Sequence, residues 1–449
     1  MSIPKFNPES NQMLSKLLFG GDIKYKQRVP VLDIEKNPVL IKSGKNKGAV
    51  KHYILEMVHH IEGIGIKPHD AWKGAVKGIY SVDDGVLNTI AKKSNDVGED
   101  IARIMLKIRE LDNQINTYYN STEALVHDFD SCVHTQLCHC GYEKANFSLG
   151  GGTNTGRLSC KSPNMQNQPR KSTNKVKQHF CSRYEDGLII EFDYAAIEVV
   201  IFAYLSQDFQ LIEDLNNGLD IYLLAVADIY NVDYKTLTKE DDRRQVVKPA
   251  ILGIIYGEGQ NRLSRELNID KGFAKKIITT FYNRYPMAKV WQDNLVEEVN
   301  QTRKLIPGKL TKLGQPVHLG KLQTITGRIC YFETTDSPEF LREKGILTSF
   351  NPPNIKNYPV QSMATSDIVL IMLGRLFRKS IQHRDKYLLI NTVHDSIVID
   401  CRKEFKDFAC NFIKTELESV NVMLKEVFNL DFNLSLKVDI KCGKTWYDC

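Results

Sequence analysis

No run of apolar residues in this sequence approaches the ~20 that would cross a bilayer, so no membrane association is expected. The first ten residues, MSIPKFNPES, lack the apolar core of a signal peptide, which argues against export. No low-complexity tract and no internal repeat is present, so disordered, fibrous and solenoid classes fall away. Neither sign of charge dominates: 60 Lys and Arg stand against 54 Asp and Glu, a net charge of +6 that permits a polyanionic partner without requiring one. The ten cysteines are scattered irregularly, as expected of reduced thiols in a cytoplasm-like compartment. What is present is an ordinary folded composition, 42% hydrophobic and 25% charged, over 449 residues. That length exceeds what one core serves, so two or three subdomains are expected.

One cysteine cluster, SCVHTQLCHC, holds Cys132, His134, Cys138, His139 and Cys140. Its Cys-x-Cys spacing lacks the usual zinc knuckle and no second pair follows at a finger-like distance, so a strand is the better reading. Residues 1–125 read as mainly helical. IARIMLKIRELDNQINTYY (101–119) repeats its apolar residues at three and four, and HYILEMVHHIEGIGI and DGVLNTIAKKS read as shorter helices. KSGKNKGAVK (42–51) is a basic, glycine-containing loop. Strands and loops are expected from 126 to about 200, helices over 210–300 and short strands over 305–350. Further helices over 360–380 and 403–428 flank a strand pair at 387–393 and 397–401.

Within that strand pair, LLINTVHDSIVIDC surrounds one polar knot, His394-Asp395-Ser396, with apolar and β-branched residues. A carboxylate there is costly unless it is paired or holds a cation. GLIIEFDYAAIEVVIFAYLS (187–206) has the same shape: a strand leads straight into Asp193 and a helix follows. Two strand-borne carboxylates brought together repel, an arrangement that makes sense around divalent cations serving in-line phosphoryl chemistry. Taken singly, each aspartate reads equally as a helix cap or loop residue. RRQVVKPAILGIIYGEG (243–259) places Arg244, Lys248, Leu252 and Tyr256 along one side of a helix at a strict spacing of four. Two cations followed by an apolar group and a ring suit a nucleotide: phosphates on the cations, sugar and base on the rest. The plainer reading is a solvated basic edge.

Together these stretches resemble motifs A, B and C of the family A DNA polymerases, the bacterial DNA polymerase I type and its phage relatives. Motif A, D-Y-S-x-I-E-x-R, is matched by Asp193-Tyr-Ala-Ala-Ile-Glu198-Val-Val200. Motif B, R-x₃-K-x₃-[FY]-G-x₂-Y-G, is matched by Arg244, Lys248, Leu252-Gly253 and Tyr256-Gly257. Motif C, H-D-E, is matched by His394-Asp395-Ser396. TGRLSCKSPNMQNQPR (155–170), NYPVQSMATSDI (357–368), the tail GKTWYDC and the opening FNPESNQMLSKLLFG (6–20) resemble further family segments in the same order.

The resemblance implies an α+β right-hand polymerase fold: a helical thumb over 1–125, an antiparallel-sheet palm built from 126–215 and 355–449, and helical fingers over 216–354. It implies a template-directed DNA polymerase that extends a primer with deoxynucleoside triphosphates. Asp193, Asp395 and the backbone carbonyl of Tyr194 would hold two Mg²⁺. Arg244 and Lys248 would grip the triphosphate, with Lys248 stabilising or protonating the leaving pyrophosphate. Tyr222, Leu252 and Tyr256 would line the nucleotide pocket, and Glu198 would exclude a 2′-hydroxyl. Arg157, Asn164, Gln166, Asn167, Asn357 and Gln361 would touch the DNA, and His394 the primer terminus.

The chain departs from the family pattern at Leu252 (usually aromatic), Val200 (Arg), Ser396 (Glu), Tyr222 (often His) and Pro353 (Arg), which suggests a divergent, phage-like member. A phage origin would put it in a host cytoplasm. Pro249 falls inside the motif B helix, where a local bend is expected. Asp33-x-Glu35 and Tyr80-x₃-Asp84 echo a 3′–5′ exonuclease, but the separation of about 50 residues is too short for that fold, so no proofreading is expected. A separate exonuclease or processivity factor could act in trans. The rival readings are a phage-type single-subunit RNA polymerase and a catalytically degenerate DNA-binding subunit; Glu198 argues against the first, and retained Asp193, Arg244, Lys248 and Asp395 against the second.

Overall fold

In the computed structural model the described residues are 6–8, 10–69, 72–74, 78–92, 97–120, 126–127, 132–133, 136–138, 155–161, 164–169 and 175–449. The chain divides into two units, Met1–Ala124 and Leu125–Cys449.

The first unit begins with helix α1 (Asn11–Phe19), whose start is fixed by Ser10: its hydroxyl accepts from the Met13 amide. Leu14 and Leu18, one turn apart, pack against Val86, Leu87 and Ile90 of α2 (Asp84–Ile90) and Ala102 and Met105 of α3 (Val97–Asn113). Between α1 and α2 the chain forms a long antiparallel ribbon, β1 (Gly21–Pro30) against β2 (His52–Ile61), paired in register over all ten residues. This corrects the helix expected for HYILEMVHHIEGIGI. Ile54, Val58 and Ile61 do fall at helical spacing, but cross-strand pairing with β1 decides the outcome.

The second unit is built on a four-stranded antiparallel sheet. Its strands are β3 (Leu188–Tyr194), β7 (Tyr387–Val393), β8 (Ser396–Cys401) and β9 (Val438–Gly443), in the order β7-β8-β3-β9. Alternation along β3 sends Ile190, Phe192 and Tyr194 into the main core with Ile397, Ile399 and Val438. The opposite face presents Glu191 and Asp193, with a smaller apolar cluster of Met165, Ile189, Val398 and Trp446 at one end. Around the core lie α4 (Ile197–Ser206), α5 (Phe209–Asn216), α6 (Ile221–Tyr230), α7 (Asp242–Ile255), α8 (Gln260–Leu267), α9 (Lys271–Arg284) and α10 (Pro286–Gln301). A separate three-stranded sheet, β4 (Lys304–Leu310), β5 (Pro316–Gln323) and β6 (Ile329–Glu333), follows them.

One continuous helical run comprises α11 (Pro352–Gln361), a π-helical turn (Ser362–Ile368) and α12 (Val369–Ser380). By length and mean hydropathy it is the one helix among the described residues long and apolar enough to cross a membrane, although its unbroken apolar run is short. Every residue of the π turn is buried, and the run serves as a core helix. Helices α13 (Lys406–Leu417) and α14 (Val420–Phe428) complete the packing below the sheet.

Candidate active site

β7 and β8 are joined by a two-residue turn, His394-Asp395, in which His394 takes a left-handed conformation at φ 56°. The turn delivers Asp395 to the end of the sheet where β3 delivers Asp193: Ser396 pairs with Asp193, and the Tyr194 amide donates to the Asp395 carbonyl at 3.4 Å. Asp439 on β9 flanks Asp193 from the other side. The Tyr194 side chain turns away into the core, where its hydroxyl donates to the Leu417 carbonyl at 2.8 Å.

Electrostatically the two carboxylates are out of balance. Burial, then the charge of Asp193, then that of Glu198 push the Asp395 carboxyl up to about 7. Burial and the neighbouring Glu191 and Asp439 also raise Asp193, against the pull of Lys441 and Lys248. Three buried carboxylates of this unit are, by contrast, matched by arginines. Asp400 meets Arg183 at 3.1 Å, Asp214 meets Arg284 at 2.9 Å, and Asp367 meets Arg328 at 2.9 Å. Among the described residues neither Asp193 nor Asp395 forms an ion pair. Two half-buried, mutually repelling carboxylates without an ion pair fit a divalent cation. No described cluster of three or more His, Cys, Asp or Glu forms a closed metal cage. Two carboxylates would therefore leave coordination positions for water or substrate, as Mg²⁺ favours.

The basic ladder lies on α7, which starts at an N-cap, Asp241, and runs through Pro249. Arg244 and Lys248 sit over the buried ring of Tyr222, at 5.3 and 5.4 Å from its centroid. Arg244 is already paired, to Asp220 at 2.9 Å, and Asp220 also caps α6; the Lys248 side chain is exposed. The helix ends at Gly257, whose φ of 77° only glycine tolerates easily. A side chain at Gly253 would collide with Leu263 at 2.6 Å, so that glycine lets α8 approach. Leu252 and Tyr256 are half-buried against the core. Burial first, and then the charge of Glu198, hold the Tyr256 hydroxyl well above its usual range.

Glu198, in the first turn of α4, is held by Arg157 at 3.3 Å. Arg157 also donates to Thr365 Oγ1 at 3.1 Å, and Gln361, in the amide orientation that satisfies both its ends, accepts from Arg157 and donates to Thr155. Three of the residues expected to touch DNA thus sort differently. Arg157 and Gln361 join this network, whereas Gln166 donates to the Thr392 carbonyl at 3.1 Å and braces β7. Asn164 accepts from the Gln166 amide at 3.1 Å within its own loop, and Asn167 is exposed. The Asn357 side-chain oxygen is buried with no partner among the described residues. His394 is exposed at the surface, yet partial desolvation and then the nearby Arg157 charge depress its basicity.

Sequence reasoning missed Asp220, Thr365, Asp439 and the Arg328–Asp367 pair beside the π turn. Asp220 carried a signal as an N-cap ahead of an apolar helix, and Thr365 and Asp367 lie within the NYPVQSMATSDI segment. Asp33 and Asp84 of the exonuclease-like echoes have local roles. Asp33 accepts from the Glu35 and Asn37 amides in a turn, and Asp84 pairs with Arg109 at 2.9 Å. Of the cysteine cluster, His134, His139 and Cys140 lie outside the described residues. The described cysteines Cys160, Cys181, Cys330, Cys401, Cys410, Cys442 and Cys449 are free thiols.

A four-stranded antiparallel sheet, with two carboxylates at the ends of adjoining strands and a basic helix beside them, defines the palm of a right-hand polymerase fold. The sequence matches the profile of DNA polymerase family A over residues 62–448, and the chain belongs to that family. It is 28% identical over 371 residues to DNA polymerase I of Geobacillus stearothermophilus, covering 82% of this chain and 37% of that protein. It is 29% identical over 372 residues to DNA polymerase I of Treponema pallidum, covering 82% of this chain and 32% of that protein. The chain thus spans about a third of the length of these relatives. Among solved structures it resembles the POL domain of Pol1 from M. smegmatis in complex with DNA primer-template and dNTP. The TM-score is 0.61 at 19% identity, over 84% of this chain and 58% of that one, a likeness of fold. Members of the family generally use divalent metal ions.

Proposed function

We propose that this chain is a template-directed DNA polymerase that extends a primer 3′ end with deoxynucleoside triphosphates inside the cell. The observation that carries the reading is the unmatched Asp193–Asp395 pair beside the Arg244–Lys248 face. In this reading 126–215 and 355–449 form the palm, 216–354 the fingers and 1–125 the thumb. Asp193, Asp395 and the Tyr194 carbonyl would hold two Mg²⁺, which supply charge stabilisation for in-line phosphoryl transfer. Arg244, anchored by Asp220 and backed by Tyr222, and the freely extending Lys248 bind the triphosphate. Lys248 is the group placed to pass a proton to the departing pyrophosphate. Arg157, Gln361 and Asn357 would lie beside the new base pair, where contacts common to all pairs sense shape rather than sequence. His394 lies toward the primer terminus. No excision activity is assigned, because Asp33 and Asp84 serve a turn and an ion pair.

The deciding experiment is primer extension with Mg²⁺ and the four deoxynucleotides. Metal binding also has a pH signature. Asp395, with a folded value of about 7 against an ordinary 3.8, makes the ion-free fold lose stability as pH rises through about 7. A divalent ion offsets that loss only where the carboxylate is ionised. The rise in Tm on adding Mg²⁺ is therefore expected to be larger at pH 8 than at pH 6. Equal shifts at both values contradict the assignment.

Sugar choice follows from Glu198. Pinned by Arg157 and faced by Tyr256, its carboxylate is a fixed wall beneath the sugar. Glu198→Ala should raise ribonucleotide use by a factor corresponding to ~1–3 kcal/mol of discrimination. Leu252→Phe should tighten discrimination or leave it unchanged. The readout is the ratio of kcat/KM for dGTP and GTP opposite template C; a ratio indifferent to Glu198→Ala removes Glu198 as the gate.

A further inference from the structure

The buried stripe of α10 reads Ala288, Gln292, Leu295 and Val299, at spacings of four, three and four. Its one amide, Gln292, is 0% exposed. An amide at such a position is costly unless both of its ends are bonded, and no step of the proposed reaction uses this one. Both ends are bonded. Gln292 Nε2 donates to the Ile254 carbonyl at 3.1 Å and to the Ile255 carbonyl at 2.8 Å. Its Oε1 accepts from the Tyr282 hydroxyl, on α9, at 2.6 Å.

Ile254 and Ile255 are the last two residues of α7, the helix that carries Arg244 and Lys248. A helix leaves its last four carbonyls without intrahelical partners. Here the Leu252, Gly253 and Ile254 carbonyls accept from the amides of Tyr256, Glu258 and Gly257 at 3.0, 2.8 and 2.9 Å. Gln292 supplies a donor to Ile255 and a second one to Ile254. Tyr282 fixes which way the amide points: with its hydroxyl on Oε1, the two N–H groups face the carbonyls. Burial holds the Tyr282 hydroxyl well above its usual range, so it stays a donor at every working pH. The rest of the seat has no such direction. Val247, Ala250, Ile251, Ile254 and Ile255 bury an apolar face, which opposes removal from the core more than a small turn about the helix axis. Successive carbonyls lie about 100° apart around that axis, so an amide bonded to both fixes the turn.

We propose that Gln292, oriented by Tyr282, is a positioning residue for nucleotide insertion: it fixes the rotation of α7 and with it the place of the Lys248 ammonium. The lever is steep. A turn of about 10° moves an atom ~6 Å from the axis by about 1 Å, and a misplacement of about 1 Å at a reacting group costs ~10²-fold. The first turn of α7 has anchors of its own, the Asp241 cap and the Arg244–Asp220 pair at 2.9 Å. Arg244 therefore keeps its hold on the triphosphate when the far end is released, whereas Lys248, one turn further on, shifts. The loss falls on kcat rather than on nucleotide KM. The proposal rests on the reading of α7 as the triphosphate-binding helix, and its test carries one readout that needs no catalysis.

The test compares the full chain with Gln292→Met, which keeps the shape and loses the polar atoms, and with Tyr282→Phe, which loses only the hydroxyl. Single-nucleotide insertion is measured per folded molecule, beside hydrogen exchange over residues 250–258 without DNA. In Gln292→Met kcat should fall ~10- to 10²-fold with KM within ~3-fold of wild type. Tyr282→Phe should move kcat the same way by less. Exchange over 250–258 should quicken in both. Added to Lys248→Ala, Gln292→Met should cost little more than Lys248→Ala alone, because both remove the same placed ammonium. A residue that only steadied the fold would lower Tm, leave kcat per folded molecule intact and multiply with Lys248→Ala. Wild-type kcat in both variants, or fully multiplied losses, overturns the proposal, as does unchanged exchange over 250–258. Should Gln292→Met fail to fold, Tyr282→Phe decides by the same readouts. Absent insertion in the wild type, with the exchange difference intact, overturns the polymerase reading and upholds the clamp on α7.

Discussion

Asp395→Asn is expected to abolish primer extension, by at least ~10³-fold or on the order of 4 kcal/mol in the barrier, while the folded protein becomes no less stable. The two halves of that result have one cause. Asp395 sits at the end of a buried strand, its carboxyl pushed up to about 7 by burial and by the charge of Asp193. Ionised and without its cation it opposes folding, because the unfolded chain holds the same carboxylate in water at no such cost. An amide of the same shape removes the repulsion and keeps the turn. It also removes the negative oxygen that a divalent ion requires. Activity and stability should therefore move apart, whereas a structural residue would lose both together. The measurement is extension rate beside the Mg²⁺-free Tm at pH 8. Asp193→Asn should behave likewise, since Glu191 and Asp439 crowd it in the same way. Duplex binding should survive both changes, because affinity comes mainly from cations on phosphates.

Lys248→Ala carries the second large effect, a loss of about 10²–10⁴-fold in insertion rate. Lys248 rides on the exposed face of α7 above Tyr222, one turn from Arg244. Arg244 is tied to Asp220, so it would offer a fixed positive anchor, whereas Lys248, with no ion pair among the described residues, would be the donor of the pair. Lys248→Arg separates its two contributions. The guanidinium keeps the charge but does not release a proton near neutral pH. Nucleotide KM should then return close to wild type while kcat stays low. Full recovery of kcat by arginine would show that charge alone matters, and a wild-type rate in Lys248→Ala would remove the residue from the chemistry.

Much of this site could be read in the sequence because its parts are local. A strand running into Asp193, a turn at His394-Asp395 and a ladder at 244, 248, 252 and 256 each declare themselves within about ten residues. The supporting shell could not be read in that way. Arg157 reaches Glu198 across 41 positions and Thr365 across 208, and a pairing at that separation leaves no periodic trace. The π turn that buries Thr365 and Asp367 is equally silent, because SMATSDI mixes apolar and polar residues as an ordinary helix does and nothing in it marks the change of hydrogen-bond period. The ribbon was misread for a different reason. HYILEMVHHI satisfies the helical and the extended pattern alike, and only its partner strand, with Gln27 facing Leu55 and Lys24 facing Val58, resolves the ambiguity.

The central claim is that the Asp193–Asp395 end of the sheet copies a template into DNA. It is tested most directly by single-nucleotide insertion on four primer-templates that differ only in the templating base, with each deoxynucleotide and Mg²⁺. The account predicts that the wild-type chain adds the complementary nucleotide in each case, that chelating the metal stops it, and that Asp395→Asn adds none. Insertion that ignores the templating base, or that persists in Asp395→Asn, would contradict it.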